Sequence, residues 1–377
     1  MASPHRLITP NLKLSQLKYW AFLTGMPITN TKTELLRALR EQVNGGISRE
    51  RSDVLSVDMG IRNLAFCKIR TEENENGLDG RIRVEVWRKM DLIGMIEENM
   101  KKKKKNGKAV DDIEEEGEEE HDEIPANENV QRGKLAADAF TPANLSKVAT
   151  AVTSKLLEYE PSEILIERQR FRSGGAAAIQ EWTVRVNMLE SMLWACLETR
   201  REDAHAQSER ENNASSEERV QKAVEFPSTH AVSPARVSSF WTMGTDLPLR
   251  PPAGFLQGAT QPAFPPAART RQKAIDIKKA KIDVVKSWVA GDADVQLDFS
   301  SREAAESAEF FQTETASKSK SSDRAAIGKL DDLADSLLQA VAWVRWRENA
   351  REILRMWREV SRCGDVEGGE FTGGKRG

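Results

Sequence analysis

The sequence predicts an α/β domain built on a mixed sheet and preceded by a small pair of helices. Three observations carry this reading. Apolar residues recur at helical spacing up to about residue 44 and switch to strand-like alternation from Val54. The elements then follow in the order βββ, α, β, α, β, α, which suits an α/β domain with both parallel and antiparallel strands. Polar stretches fall between these elements rather than inside them.

Residues 11–44 predict two short amphipathic helices around the turn Gly25-Met26-Pro27. Leu14, Leu17, Trp20 and Leu23 share a face of the first. Thr31 caps the second, Glu34 three residues on completes a capping box, and Leu35, Leu36 and Leu39 form its inner face. Residues 54–92 predict a three-stranded antiparallel meander with a tight turn at Arg62-Asn63. Residues 93–135 are low in complexity and are expected to be a loop. A helix at about 143–159 precedes the apolar strand of 163–169, and Ile179, Trp182, Val186, Leu189, Leu193 and Cys196 form one apolar seam along a helix over 177–199. Residues 224–241 supply a further strand and a turn, 247–269 are Pro-rich, and 273–291 return to helix. After another polar insertion a helix at about 330–359 closes the chain, with a Gly-rich tail behind it.

The expected sheet therefore has five strands. The expected organisation is a helical motif over 1–48 and an α/β domain over 52–360, with low-complexity insertions at about 97–135, 201–220, 244–272 and 291–328 and a disordered tail over 361–377.

Of the 377 residues 39% are hydrophobic and 31% charged, so part of the chain is expected to stay unfolded. The net charge of -3 is an average over unlike segments. Residues 101–124 carry -4, while 201–220 and 291–329 carry -3 each, which leaves the other 294 residues at +7. The first 51 residues hold eight bases against three acids. A basic body with acidic insertions suits a polyanionic partner. Cys67, Cys196 and Cys363 are too few and too scattered for a disulfide framework or a zinc site, which points to a reducing compartment. No apolar run approaches the ~20 residues needed to span a bilayer. The first 33 residues contain no acid, a faint likeness to a mitochondrial presequence.

The chemistry lies in the acids. Asp58 sits within the apolar strand Val54-Leu55-Ser56-Val57-Asp58-Met59-Gly60, and Glu167 ends Ile164-Leu165-Ile166-Glu167. Burying an ionised acid costs several kcal/mol unless a cation or hydrogen bonds compensate. Asp58 could instead bond the Gly turn behind it, and Glu167 could pair with Arg168 or Arg170. Asp331, Asp332 and Asp335 open the last predicted helix, where acids commonly answer the helix dipole. Yet 332 and 335 are three apart and 331 and 335 four apart, so either pair shares a face beside the apolar stripe of Leu333, Leu337 and Val341. Together the acids would repel one another unless divalent cations neutralised them. Carboxylate-only donor sets suit Mg²⁺ or Mn²⁺, and two such ions can drive phosphodiester hydrolysis.

In this order of elements and acids the chain resembles the ribonuclease-H-like superfamily. Within it, DMGIRNLAFC at 58–67, IERQRFRSGGAAAIQ at 166–180 and KLDDLADSLLQAVAW at 329–343 are similar to the fungal mitochondrial Holliday-junction resolvases. Residues 17–39 are similar to the SAP-like DNA-binding motif ahead of their nuclease domain. The resemblance implies a mitochondrial homodimer that binds four-way junction DNA and makes paired, metal-dependent nicks with two Mg²⁺ ions per site, and it implies neither a membrane nor a small-molecule substrate. It carries the catalytic and ligand roles to Asp58, Glu167, Asp335 and either Asp332 or Asp331.

Candidate DNA contacts are Arg168, Arg170 and Arg172, which alternate after Glu167, with Phe171 between them able to stack on an unpaired base or to fill the core. Arg62 and Asn63 in the turn after Asp58, Lys278, Lys279 and Lys281 on one helix, and Lys18 and Lys32 in the N-terminal pair complete the set. Two other readings compete. A junction-binding protein of the same fold without catalysis is one; an actin-like or sugar-kinase ATPase is the other, and it would need a second glycine-rich phosphate loop that the sequence lacks.

Overall fold

The strand expected around Asp58 is β1 (Ser52–Asp58), and it lies at the heart of the molecule. Val54, Leu55, Ser56 and Val57 are all fully buried, because helices cover both faces of the sheet. The computed structural model describes residues 12–44, 52–60, 63–71, 81–92 and 94, 140–169, 181–214, 226–243, 274–291, 295–316 and 323–366.

β2 (Asn63–Thr71) runs antiparallel to β1 and β3 (Ile82–Asp91) antiparallel to β2, as the meander predicts. On the other side of β1, β4 (Glu163–Glu167) and then β5 (Ser228–Val232) pair in parallel. The expected count of five strands is short by one: among the described residues the order is β5-β4-β1-β2-β3-β6, where β6 (Leu297–Asp298) adds two residues to the far edge.

Two layers of helices sandwich this sheet. On one face α3 (Pro142–Leu157) and α4 (Glu181–Ala214) bury Val148, Val152, Leu156, Val186, Leu189 and Leu193 against Leu55, Val57, Phe66 and Ile166. The other face belongs to α8 (Asp323–Val366), whose Leu330, Leu333, Leu337 and Val341 meet Val54, Cys67, Val84, Trp87 and Leu165. Around α8 pack α5 (Pro234–Met243), α6 (Ala274–Ala290) and α7 (Arg302–Ala316).

The stretches expected as insertions divide. Those at about 97–135 and 244–272 lie outside the described residues. The one at 291–328 contains β6 and α7, and α7 packs Ala304, Ala308 and Phe311 onto Trp87 with ring centroids of Phe311 and Trp87 5.4 Å apart. Its inner stripe is mostly alanine, so the acidic residues between dominate the composition. Residues 201–214, expected as part of another insertion, continue α4, and its polar outer turns carry i,i+3 and i,i+4 pairs such as Arg201–Glu198 and His205–Glu209. The turn expected after β5 is α5, entered through Pro234 at its first position, where the missing N–H costs nothing. α8 runs on to Val366, into the expected tail.

The N-terminal pair is α1 (Leu14–Leu23) and α2 (Lys32–Asn44). The capping box forms, with the Thr31 N–H and hydroxyl each donating to Glu34 Oε2 at 2.9 Å. The hairpin is fastened to the domain: Asn349 Nδ2 donates to Leu23 O at 2.7 Å, and Arg236 donates to Gly25 O. Gly25 itself has φ +71°, and a Cβ there would lie 2.2 Å from the Trp346 indole.

Candidate functional site

The register of α8 against the sheet builds the site. Gln339 is buried under the middle strands, where its Nε2 donates to Ser56 Oγ at 3.0 Å, Leu165 O at 3.3 Å and Val57 O at 3.4 Å. One amide thus pins α8 to both β1 and β4. Residues four apart lie on one helical face, so Asp331, Asp335, Gln339, Trp343 and Arg347 form a polar stripe laid along the strands.

The strands bring the other acids to the same end. Ser56 faces α8, so Asp58, two residues on, faces it too; Glu163 bonds Trp343 and Arg347, so Glu167 shares its face. Because β1 and β4 are parallel with Val57 opposite Ile166, Asp58 and Glu167 emerge side by side at their carboxyl ends. α8 begins at Asp323, two turns before Asp331, so its dipole does not explain these aspartates.

Asp58 and Glu167 are hydrogen-bonded to each other. Burial first, then the charge of Glu167 and the hydrogen bond with it, push the Asp58 carboxyl well above the carboxylate range. Glu167 is raised as well, chiefly by burial. Burial pushes Asp335 up to about 7, with Lys281 opposing and Asp58 and Asp331 adding to the rise.

Lysines answer the α8 acids. Lys281 Nζ donates to Asp335 Oδ2 at 2.5 Å and Oδ1 at 2.6 Å and stands 3.1 Å from Asp331 Oδ1. Burial acts to lower its pKa, yet Asp335 and Asp331 outweigh that and raise it. Lys278 pairs with Asp331 Oδ2, and Lys89 of β3 donates to Asp332 Oδ2 at 2.8 Å. Asp331 is 6% exposed, and its Oδ1 is buried without a hydrogen-bond donor. The two residues the sequence left equivalent differ in their surroundings: Asp332 is half-exposed and paired with Lys89, whereas Asp331 is buried between Lys278 and Lys281.

The donor set fits a hard divalent cation in its chemistry. It is all carboxylate, and two of its members are buried against each other with both pKa values raised. As the side chains lie, no three His, Cys, Asp or Glu donors among the described residues close on one point; Asp335 is turned toward Lys281 instead.

The sequence-predicted contacts scatter around this centre. Arg168 is exposed next to Glu167, its backbone N–H held by Val232 O at 2.8 Å. Lys279 is exposed on α6, Lys32 on α2, and Lys18 is half-buried on α1. Lys281, expected as a DNA contact, is instead 7% exposed, and Lys278 is engaged by Asp331, because the face of α6 that carries them packs on α8. Asn63 begins β2, its side chain not described; Arg62, Arg170, Phe171 and Arg172 lie outside the described residues. Sequence reasoning missed Gln339 and Lys89. The polar stripe at every fourth residue of α8 was the signal for the first, and the alternation of β3, with Trp87 and Lys89 on one face, for the second. It also missed Gln169 and Glu190, which hold the chain leaving β4: Glu190 accepts from Gln169 N at 3.1 Å, and Gln169 Nε2 donates to Met59 O at 3.4 Å.

Comparison with known proteins gives a consistent set. The family model described as mitochondrial resolvase Ydc2 / RNA splicing MRS1 matches residues 54–353. The mitochondrial cruciform cutting endonuclease 1 of Schizosaccharomyces pombe is 26% identical over 337 residues, covering 89% of this chain and 93% of that protein. Its counterpart in Saccharomyces cerevisiae is 23% identical over 380 residues, covering 92% of this chain and 85% of that protein. The crystal structure of the yeast mitochondrial Holliday junction resolvase Ydc2 aligns with a TM-score of 0.48 and 24% identity over 92% of this chain and 99% of that one.

Proposed function

The chain belongs to the mitochondrial resolvase Ydc2 / RNA splicing MRS1 family, and within it we propose that this protein is a resolvase: a structure-selective endonuclease that cuts four-way DNA junctions by metal-dependent phosphodiester hydrolysis. One observation carries the choice between the two activities in that description. Asp58, Glu167 and Asp335 from three separated segments converge with Asp331 at one end of the sheet, in a cluster that costs stability and has no use in a protein that only binds nucleic acid. The strand order 3-2-1-4-5 around the acids supports the ribonuclease-H-like reading.

Asp58, Glu167, Asp335 and either Asp331 or Asp332 would hold the cations, with Mg²⁺ the natural occupant and Mn²⁺ a substitute. Bound there, a pair of divalent ions would activate water and stabilise the leaving oxygen. The residues of the chain do the rest. Lys89 fixes Asp332 at the rim, and Arg168 stands exposed beside Glu167 to meet a backbone phosphate without reading sequence. The Gln339 clamp keeps α8 from sliding, so the acids stay aligned with the strand ends.

A junction with two-fold symmetry cut at paired positions calls for two sites related by a two-fold axis, which supports a homodimer. The excess of bases in the first 51 residues supports the SAP-like reading of α1 and α2 as a DNA-binding arm, with Lys18 and Lys32 as contacts. The acid-free N-terminus and the mitochondrial relatives support a role in mitochondrial DNA recombination.

The test incubates the purified protein with a synthetic four-way junction and, in parallel, a linear duplex of the same sequence, with Mg²⁺ or with EDTA. Paired nicks on the junction alone, and only with Mg²⁺, are expected. Tight binding with no nicking under any metal would leave the non-catalytic reading standing.

A further inference from the structure

Lys68 and Lys281 are the two buried lysines among the described residues, and their burial differs in kind. Lys68 meets the Glu85 carboxylate at 2.8 Å and donates to Tyr159 O at 2.7 Å, so one charge answers one charge. Lys281 faces two aspartates of the same helix. Both oxygens of Asp335 accept from it, and Asp331 Oδ1 lies 3.1 Å away without a proper hydrogen bond. Its ammonium therefore sits where a cation belongs, against the carboxylates nearest the Asp58–Glu167 pair, and it leaves one oxygen unsatisfied.

We propose that Lys281 is a built-in counter-cation: a positioning residue that holds Asp331 and Asp335 together in the metal-free protein and yields their oxygens when a divalent cation arrives. The inference rests on the metal-dependent reading above and deepens it in two ways. It explains how so acidic an end of the sheet stays folded without metal, since a buried carboxylate pair with no positive charge is costly. It also gathers Asp331 and Asp335 under one ammonium, whereas Asp332 pairs with Lys89 of β3. Lys281 is then neither a DNA contact, since its ammonium is spent on carboxylates, nor a plain structural ion pair, since its partners are the residues that must be handed over. An ammonium fixed there competes with the incoming cation, so the site binds metal more weakly than the bare carboxylates would.

The experiment measures thermal unfolding of the full chain in EDTA and across a Mg²⁺ titration for wild type, Lys281→Met and Lys281→Arg. Ligand that binds only the folded state raises the Tm in proportion to its affinity. Lys281→Met is expected to unfold several degrees below wild type in EDTA, to gain more from Mg²⁺ than wild type does, and to half-saturate at a Mg²⁺ concentration about 3- to 10-fold lower. Lys281→Arg, which keeps the charge, should restore the behaviour in EDTA. Junction affinity in EDTA should stay within about twofold of wild type. An equal Tm loss with and without Mg²⁺ would make Lys281 an ordinary structural ion pair and overturn the proposal, as would a tenfold loss of junction affinity. Should Lys281→Met be insoluble in EDTA, the pair Lys281→Met with Asp335→Asn, which removes one of the stranded charges, must be soluble; if it is not, the proposal fails. A wild type whose Tm ignores Mg²⁺ altogether would sink the metal-dependent reading itself, whereas a wild type that responds and a Lys281→Met that responds identically would sink only this inference.

Discussion

Glu163 and Glu167 stand at opposite ends of the five-residue strand β4, on the same face and under the same helix, yet their surroundings are opposites. Glu163 is 8% exposed and completely answered: Trp343 Nε1 donates to one oxygen at 2.6 Å, and the Arg347 guanidinium meets the other at 2.5 Å. Glu167 has another acid as its hydrogen-bond partner, and nearby charges of Asp335 and Asp331 push its pKa up further. Burial is common to both, so burial of an acid does not mark function. What marks it is a buried acid that the protein's own groups do not satisfy. The sheet's other face makes the same point, where Asp53, Glu85, Lys68 and Arg70 form a charge network closed within itself.

The sharpest way to break this contrast is to neutralise one acid at each end of the strands. Asp58→Asn should lower junction cleavage by roughly 10³-fold or more, the order seen when one electrostatic stabiliser of a transition state is removed. Its Tm in EDTA should not fall and is expected to rise, because a buried carboxyl crowded by Glu167 and Asp332 is replaced by a neutral amide. Glu163→Ala should do the reverse. Removing it strands the Arg347 charge and the Trp343 N–H, which costs about 2–3 kcal/mol in urea unfolding, the lower part of the range for breaking a buried pair because Arg347 retains some solvent contact. Its cleavage rate per folded molecule should stay within about twofold. If Glu163→Ala abolished cleavage in stable, folded protein, or Asp58→Asn destabilised without affecting cleavage, the division between the two ends would be wrong.

Much of this was legible beforehand. Alternation in Ile164-Leu165-Ile166-Glu167 places Glu167 on a definite face, and the spacing of Asp331, Asp335 and Gln339 places them on one stripe, because both follow from backbone periods. Which acid is satisfied was not legible. The partner of Glu163 is Trp343, 180 residues away, and no local pattern encodes that meeting. The choice between Asp331 and Asp332 was closed for the same reason, since it depends on Lys281 and Lys278 from α6 and Lys89 from β3. β6 and α7 were hidden differently: Ala304 and Ala308 bury so little apolar surface that the stripe drowns among charged neighbours. The hairpin of α1 and α2 could be read, but its docking on Trp346 and Asn349 could not.

That docking permits a test at the far end of α8. Gly25→Ala forces a side chain into left-handed backbone and into the Trp346 ring, and the two effects together should cost about 2 kcal/mol. The loss should appear in thermal unfolding equally with and without Mg²⁺, because nothing at the Asp58 end is touched. Junction affinity should fall if the hairpin is the DNA arm, and the metal response should not move. A changed Mg²⁺ half-saturation would mean that the two ends of α8 are coupled through the helix.

The dependence of stability on pH distinguishes the two ends by its sign, without any substitution. Burial pushes Asp335 up to about 7 in the folded chain against the opposing charge of Lys281, and Asp58 and Glu167 are likewise raised. In the unfolded chain such groups release their protons near pH 4. Between about pH 4 and pH 7 the folded state therefore binds more protons than the unfolded state, so these acids make the metal-free protein less stable as pH rises through that window. Their stabilising contribution is whole below pH 4 and gone above about pH 7, the opposite of an acid whose ion pair is complete. Each such group changes stability by up to about 1.4 kcal/mol per pH unit, so the slope is measurable as Tm against pH in EDTA. Asp335→Asn should flatten it. Saturating Mg²⁺ should remove it, since the carboxylates are then needed in their charged form and proton uptake no longer favours the fold. A Tm in EDTA that instead climbed steadily from pH 4 to pH 7, and did so equally in Asp335→Asn, would show that the acids at this end are as well satisfied as Glu163 is.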